Sequence, residues 1–518
     1  MTFLSGRRLA SACVVSAAFA VAAFAPGTAS ATTAPKPDLL KQCEGSATKG
    51  HGSTFQAPIL EKWAVEFNKG ANIYACSGTQ GSGGTPKVEY LSTASSDKGS
   101  GACLKGWGAE VPESEPTDFG EFGFCGTDEA PNQKQREEIE KHRTGGEAQS
   151  VEAIPVAQGA VTIIVHLPEG CKAESLVEPT AGKPAKLGRL VLEDTVLEEV
   201  YRGAITNWKQ LLEKQKTGSD KLTCTGGTAE EETAIKPVVR LDHSGTTHIF
   251  KTFLEQVNPS EKILMETYPE EIPGAGKKTG CGKALPEESE LWSETAEACQ
   301  NQRWPKAANI VRPTATGNPG VVKYVAEHAS SIGYADLAVV RAEKTFSGNC
   351  KVTPTTCGGE NKKGSATKVG EQNTKFWAEI QDSEVPSISG YSDPGSKGDI
   401  EAAAQSNCKN TVYTNEAGKK FPPASTRELW NEAKAELVQK KTYAICGLTY
   451  DLALRQYKFY PGGTKAEATT VENFLRWSVN TKAEGGGALI KNSDYEKVSG
   501  TIVKEAEKGL EEVGFEVA

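Results

Sequence analysis

Apolar positions along the chain repeat with two periods. In GHGSTFQAPILEKWAVEFN a glycine-rich turn leads into a run whose Ile59, Leu60, Trp63, Ala64 and Phe67 fall on one helical face, which predicts an amphipathic helix. TVLEEVYRGAITNWKQLLEK (Thr195 to Lys214) predicts another, and TTVENFLRWSVN and the stretch near TIVKEAEKGLEEVGF predict two more toward the C-terminus. By contrast AIPVAQGAVTIIV, Ala153 to Val165, is almost continuously apolar and reads as a buried strand broken by Pro155, Gln158 and Gly159. KVEYLST, IKPVVRLD and KTYAICGLTYDLAL read as further strands. Strands alternating with helices imply α/β lobes with mostly parallel sheets, and 518 residues exceed one ordinary core, so two or more lobes are expected.

Two stretches break the pattern. Ser260 to about Arg312 and Glu343 to about Pro423 are polar, rich in Gly and Lys, and carry Cys281, Cys299, Cys350, Cys357 and Cys408, which suggests surface insertions pinned by disulfides. At the other extreme, the apolar run Leu9 to Ala25 follows Arg7 and Arg8 and precedes Ala29-Ser30-Ala31. Residues 1–31 thus read as a signal peptide cleaved near Ala31, giving a secreted, extracytoplasmic protein in the periplasm or at the cell surface. Cys13 would leave with that leader, and Cys43 lacks the flanking residues of a lipid-modified cysteine. The other cysteines, Cys43, Cys76, Cys103, Cys125, Cys171, Cys224, Cys281, Cys299, Cys350, Cys357, Cys408 and Cys446, show no C-x-x-C pair and point to disulfides in an exported protein, buried free thiols being the alternative.

The net charge of -9, more negative still without the leader, argues against nucleic acid or an anionic membrane surface as partner. The six histidines show no metal-ligand spacing, so no metal and no cofactor are expected.

The chemistry resides in three turns of one design. GHGSTFQAPILEKW, DKGSGACLKGW and RLDHSGTTHIFKTFL each place glycine and a hydroxyl at the start of a helix, where unpaired N–H groups favour an anion. Singly, each is an ordinary helix cap. In the third, Arg240 could fork onto two oxygens of an oxyanion while Asp242 holds its guanidinium, although a structural ion pair would look the same.

Together with GTDEAP, GNPGVVKYVAEHASSIGYAD and ENFLRW, these blocks resemble in order and spelling the phosphate-binding proteins of bacterial phosphate ABC transporters. The resemblance implies a two-lobed α/β fold of the type II periplasmic-binding-protein kind, with two parallel or mixed sheets, flanking helices and two crossing strands at AIPVAQGAV and YAICGLTYD. Lobe I would comprise 44–155 plus 447–518, and lobe II 156–446 with the insertions near 260–312 and 343–423. It also implies phosphate ligands at Thr54, Phe55, Ser100, Asp128, Arg240, Ser244, Gly245 and Thr246, with Ser53, Gly101 and Asp242 in support. Ser82 competes with Ser100, and His243 stands where the family carries glycine. The implied partners are inorganic phosphate and membrane ABC permease subunits, and a monomer is expected.

Asp128 would discriminate. At neutral pH phosphate keeps a proton that a carboxylate can accept, whereas sulfate has none. Two other classes remain open. One is a secreted phosphate-ester-binding protein, phosphatase or esterase, against which stands the lack of G-x-S-x-G, H-E-x-x-H and Walker A motifs. The other is a cell-surface interaction protein retaining the fold.

Overall fold

A nine-stranded mixed sheet organises the chain. The structure, a computed structural model, describes residues 44–516 except 71–86, 92–98, 111–121, 144–149, 174–189, 216–221, 226–231, 270, 273–276, 279–282, 344, 347–373, 382–392, 396–405, 416–417, 422–426, 438–441, 461, 483–484, 492 and 499. The leader, Ser82, Cys43, Cys76, Cys281, Cys350 and Cys357 lie outside the described residues.

The strands are β1 (Thr48–Gly52), β2 (Val88–Tyr90), β3 (Phe124–Thr127), β4 (Val151–His166), β5 (Lys236–Val238), β6 (Ser331–Asp336), β7 (Lys375–Trp377), β8 (Cys446–Leu454) and β9 (Tyr495–Glu496). Their order is β2-β1-β3-β8-β4-β6-β5, with β7 and β9 also on β4. β1 is parallel to β2 and β3, and β5 to β6, while β8, β6, β7 and β9 run antiparallel to β4. The sheet is continuous because β4 changes partner midway: Ala160 pairs with Cys446 of β8, and Val161 with Asp336 of β6. The near-unbroken apolar sequence of β4 follows from that position, since every residue from Ala153 to Val165 is buried. Opposite Pro155, which has no N–H for the ladder, the β8 register shifts between Thr449 and Tyr450.

Helix α1 (Ala57–Asn68) buries Ile59, Leu60, Trp63, Ala64 and Phe67, the face read from the sequence. Three further helices carry the site: α2 (Ser100–Gly106), α3 (Gly245–Val257) and α4 (Gly317–Glu327). α4 lies on β5 and β6 through Val321, Val322 and Val325, each burial stabilising by roughly 1.5 kcal/mol or more. The helix expected over Thr195 to Lys214 is two helices, Asp194–Arg202 and Trp208–Lys214. Gly203 ends the first in the left-handed region (φ 85°), against the backbone of Ala307 and Ala308, and the Asn207 side chain caps the second.

The charged stretch after Asn132 is a helix over Gln133–Arg143. Asn132 caps it, accepting from the Gln135 amide, and Arg143 is buried with its guanidinium over the rings of Trp107 and Tyr460.

The polar stretches also differ from their reading as surface insertions. Trp292, Trp304, Asn301 and Arg303 are buried, and Lys251 of α3 donates to the carbonyl oxygens of Thr295, Gln300 and Arg303. In the second stretch, β7 extends the main sheet and Trp377 is buried. Three disulfides are described, Cys103–Cys125, Cys171–Cys224 and Cys408–Cys446, and Cys299 is disulfide-bonded as well. Among the described residues no helix is long and apolar enough to cross a membrane.

Candidate anion-binding site

The turns converge at the C-terminal ends of β1 and β3, beside the middle of β8. Gly52 leaves β1 in the left-handed region (φ 124°), where a Cβ would lie 2.3 Å from the Gly126 carbonyl oxygen. That close approach delivers Ser53-Thr54-Phe55 to Asp128. Ser53 Oγ lies 2.7 Å from both Asp128 oxygens and accepts the amides of Phe55 at 2.9 Å and Gln56 at 3.3 Å. The Phe55 amide, expected to face a ligand, is thus engaged within its own turn, while its ring packs edge-on to Tyr495.

Ser100 opens α2, accepts the Asp128 amide at 2.9 Å and donates to Asp128 Oδ2 at 3.2 Å. The Cys103–Cys125 disulfide ties α2 to β3, just ahead of Asp128. Gly99 and Gly101 let this turn pack on the next one: a Cβ at Gly99 would lie 2.5 Å from Asp242 Oδ2, and the Gly101 amide donates to the His243 carbonyl at 3.2 Å.

In the third turn Arg240 is buried and forks onto both oxygens of Asp242, Nε reaching Oδ1 at 2.9 Å and Nη2 reaching Oδ2. Its remaining terminal nitrogen, Nη1, stands 3.5 Å from Thr246 Oγ1. Ser244 caps α3, its Oγ accepting the Thr247 amide at 3.3 Å, and Gly245 and Thr246 follow as the first helical residues, whose amides an α-helix leaves unpaired. A Cβ at Gly245 would lie 2.5 Å from Ser100 Oγ and 2.7 Å from Asp128 Cβ, so glycine alone lets α3 close on the Asp128 wall. Burial pushes the Asp128 carboxyl up to about 6, against the opposing pull of Ser53, Thr449, Arg240 and Ser100.

Four contributors were not singled out in the sequence. Thr449, at the β8 register shift, places Oγ1 2.7 Å from Asp128 Oδ1 and 2.5 Å from Gln56 Oε1. Asn318, at the start of α4, donates to Thr54 Oγ1 from its backbone at 3.1 Å and from Nδ2 at 3.4 Å, and to Thr246 Oγ1 at 3.2 Å. Its turn, ATGNPG, is a fourth instance of the design found three times above, and that was the available signal. Glu129 and Asn301 explain His243. The ring is buried with Nε2 3.0 Å from Glu129 Oε2 and Nδ1 3.6 Å from Glu110 Oε2. Glu129 also accepts from the Ala298 amide at 2.6 Å and Asn301 Nδ2 at 3.1 Å. Burial would lower the His243 pKa, but Glu129 and Glu110 outweigh it and raise the imidazolium to about 9. Burial acts to raise Glu129, and the facing His243 holds it below its ordinary value instead. Among the described residues no His, Cys, Asp and Glu group could hold a metal ion.

Glycine-built turns, helix N-termini and a forked arginine thus gather beside a buried carboxylate on an α/β frame. The chain belongs to the periplasmic-binding-protein (PBP) superfamily: the model of the PBP superfamily domain matches residues 26–369. Its fold is an α/β fold of this extracytoplasmic family, with β8 inserted antiparallel between β3 and β4. No curated protein matches the chain. Solved structures similar to it include PfluDING, a high affinity periplasmic phosphate-binding protein bound with phosphate, at 15% identity and TM-score 0.47 over 89% of this chain and 93% of that one. A phosphate-binding protein from Stenotrophomonas maltophilia gives 15%, 0.46, 89% and 93% for the same measures. A putative phosphate ABC transporter substrate-binding protein with bound phosphate from Clostridium perfringens gives 13%, 0.37, 88% and 100%.

Proposed function

We propose that the protein captures inorganic phosphate between the Asp128 and Arg240 walls and delivers it to an ABC permease. The observation that carries this reading is the pairing of opposite recognition elements on adjoining turns: the guanidinium of Arg240 and the carboxylate of Asp128 are both buried where Gly245 packs on Ser100 and Asp128. Arg240, the Thr246 hydroxyl and the first-turn amides of α3 would neutralise an oxyanion, and the Asp128 carboxylate would accept its remaining proton. Sulfate would meet Asp128 as a repelling charge. The strands β4 and β8 would cross between lobe I (44–155 and 447–518) and lobe II (156–446), and closure of the lobes would bury the anion and present the permease-binding surface. The leader at 1–31 would place the protein outside the cytoplasm, working as a monomer.

One observation favours binding of the free anion over ester chemistry. His243, the histidine of the third turn, is held between Glu129 and Glu110 and so serves as an ion-pair partner instead of a proton shuttle.

The test is direct: protein purified from phosphate-containing medium and then denatured should release about one phosphate per chain, and the phosphate-stripped protein should give a saturable heat on titration with phosphate. Absence of both would overturn the assignment, and turnover of a chromogenic phosphate ester would replace it with the enzyme reading.

A further inference from the structure

Resting on the oxyanion reading of the site, we infer that Asn318 is a positioning residue that aims the hydroxyl protons of Thr54 and Thr246 at the bound anion. A hydroxyl offers one proton and accepts two hydrogen bonds. Thr54 Oγ1 accepts from the Asn318 backbone amide at 3.1 Å and from Asn318 Nδ2 at 3.4 Å. Thr246 Oγ1 accepts from Asn318 Nδ2 at 3.2 Å and from Arg240 Nη1 at 3.5 Å. Both oxygens therefore have their lone pairs occupied by N–H groups, and each proton is left to point elsewhere. Both threonines are buried, so water is a poor acceptor for those protons and an anion between the turns is a good one.

The direction of the Asn318 amide is fixed by a donor that cannot be reversed. The Asp336 backbone N–H points at Oδ1, at 3.4 Å, which turns Nδ2 toward the two hydroxyls. The turn carrying Asn318 is also tied to the arginine wall, because the Gly317 amide donates to Asp242 Oδ1 at 3.1 Å. Gly317 adopts φ 80°, and a Cβ there would lie 3.0 Å from Thr54 Cγ2, so the contact with Thr54 requires glycine. One side chain thus spans the turn after β1 and the first turn of α3, and polarises both in the same sense.

Replacing the amide by a carboxylate reverses that sense. In Asn318→Asp the two hydroxyls donate to the new side chain and are lost to the ligand, so affinity for inorganic phosphate should fall by about a hundredfold or more, the scale of two hydrogen bonds to a charged group. Asn318→Ala leaves the protons unaimed and should weaken binding about tenfold. The decisive readout is a thermodynamic cycle by titration calorimetry: in a Thr54→Val/Thr246→Val background, Asn318→Ala should change affinity by less than about twofold, because its route to the ligand is gone. A full tenfold loss in that background, or Asn318→Asp binding within twofold of the unaltered protein, would overturn the inference. Melting curves without anion show which variants fold, and Asn318→Ala carries the cycle if Asn318→Asp does not. Each protein is titrated with phosphate and, separately, with sulfate. If the unaltered protein binds sulfate only, the phosphate assignment fails and the Asn318 effect is read on sulfate; if it binds neither, both fail.

Discussion

Asp128 and Glu129 are neighbours in sequence with opposite surroundings. Asp128 faces the hydroxyls of Ser53, Ser100 and Thr449, and burial raises its pKa to about 6. Glu129 turns the other way, onto the His243 ring, the Ala298 amide and Asn301, and its pKa is lowered. Both carboxylates are buried. The difference lies in what completes them: Glu129 is matched by the His243 ring and two fixed N–H donors, whereas Asp128 is held by three hydroxyls, of which that of Thr449 also reaches Gln56 Oε1 and the Thr127 carbonyl oxygen. A carboxylate of the second kind can take up a proton brought by a ligand; one of the first kind already has its counter-charge. Adjacent residues thus divide into an exchangeable wall and a fixed clasp, and the clasp ties β3 to the polar stretch around Asn301 and to the turn before α3.

The largest expected effect breaks the wall opposite Asp128. Arg240→Gln should weaken phosphate binding by about a thousandfold, roughly 4 kcal/mol, since it removes the charged fork and leaves Asp242 without its partner. Calorimetry reads this, and a loss under tenfold would show that the arginine is only a structural ion pair. Next in size, Glu129→Gln should cost about 3 kcal/mol of stability by leaving the buried His243 imidazolium only the more distant Glu110 as counter-charge, measured as the denaturant midpoint without anion. An unchanged midpoint would mean the clasp is not a charged pair.

The pH dependence of stability sharpens the same contrast. The folded His243 value of about 9 lies above its ordinary 6.5, so its contribution is complete below about 6.5 and lost as pH rises through about 9. Glu129 is lowered, so its contribution is present above its ordinary value and lost as pH falls through the lowered one. Denaturation midpoints between pH 6.5 and 10 should therefore decline for the unaltered protein and flatten in His243→Gln. The smallest effect is expected at the α3 cap: Ser244→Ala should lower stability by about 1 kcal/mol, a fall of a few degrees in melting temperature.

How far the sequence disclosed this arrangement depended on where each group sits along the chain. Arg240, Asp242, Ser244 and Thr246 fall within one short motif, and their hydrogen bonds are nearly local, so the motif was legible as a capped helix beside an ion pair, and the two sister turns with the family resemblance turned it into a cradle. Ser53 and Ser100 were legible because glycines mark their turns. Thr449, Asn318 and Asn301 reach the site from elements remote in sequence, and each in isolation looks like an ordinary strand, turn or loop residue. His243 was visible as an anomaly but its meaning was not, because Glu110 and Glu129 reach it only through the packing of α2 and β3 against the third turn.

The fold shows the same division. Local periodicity disclosed β4 and α1, whereas Trp292 and Trp304 are buried in a stretch whose composition is polar. Their burial depends on Phe250 and Tyr334 and on the carbonyl oxygens gathered around Lys251.

Competition between phosphate and sulfate, followed from pH 8 to pH 5 for the unaltered protein and Asp128→Asn, tests the exchangeable wall most directly. At pH 8 excess sulfate should leave phosphate binding intact in the unaltered protein and displace it in Asp128→Asn, the preference falling about thirtyfold or more. As pH drops through about 6 and Asp128 takes up a proton, the unaltered protein should come to resemble the variant. Equal displacement by sulfate at pH 8 in both proteins, or a preference for phosphate that persists in Asp128→Asn, would contradict the role assigned to Asp128.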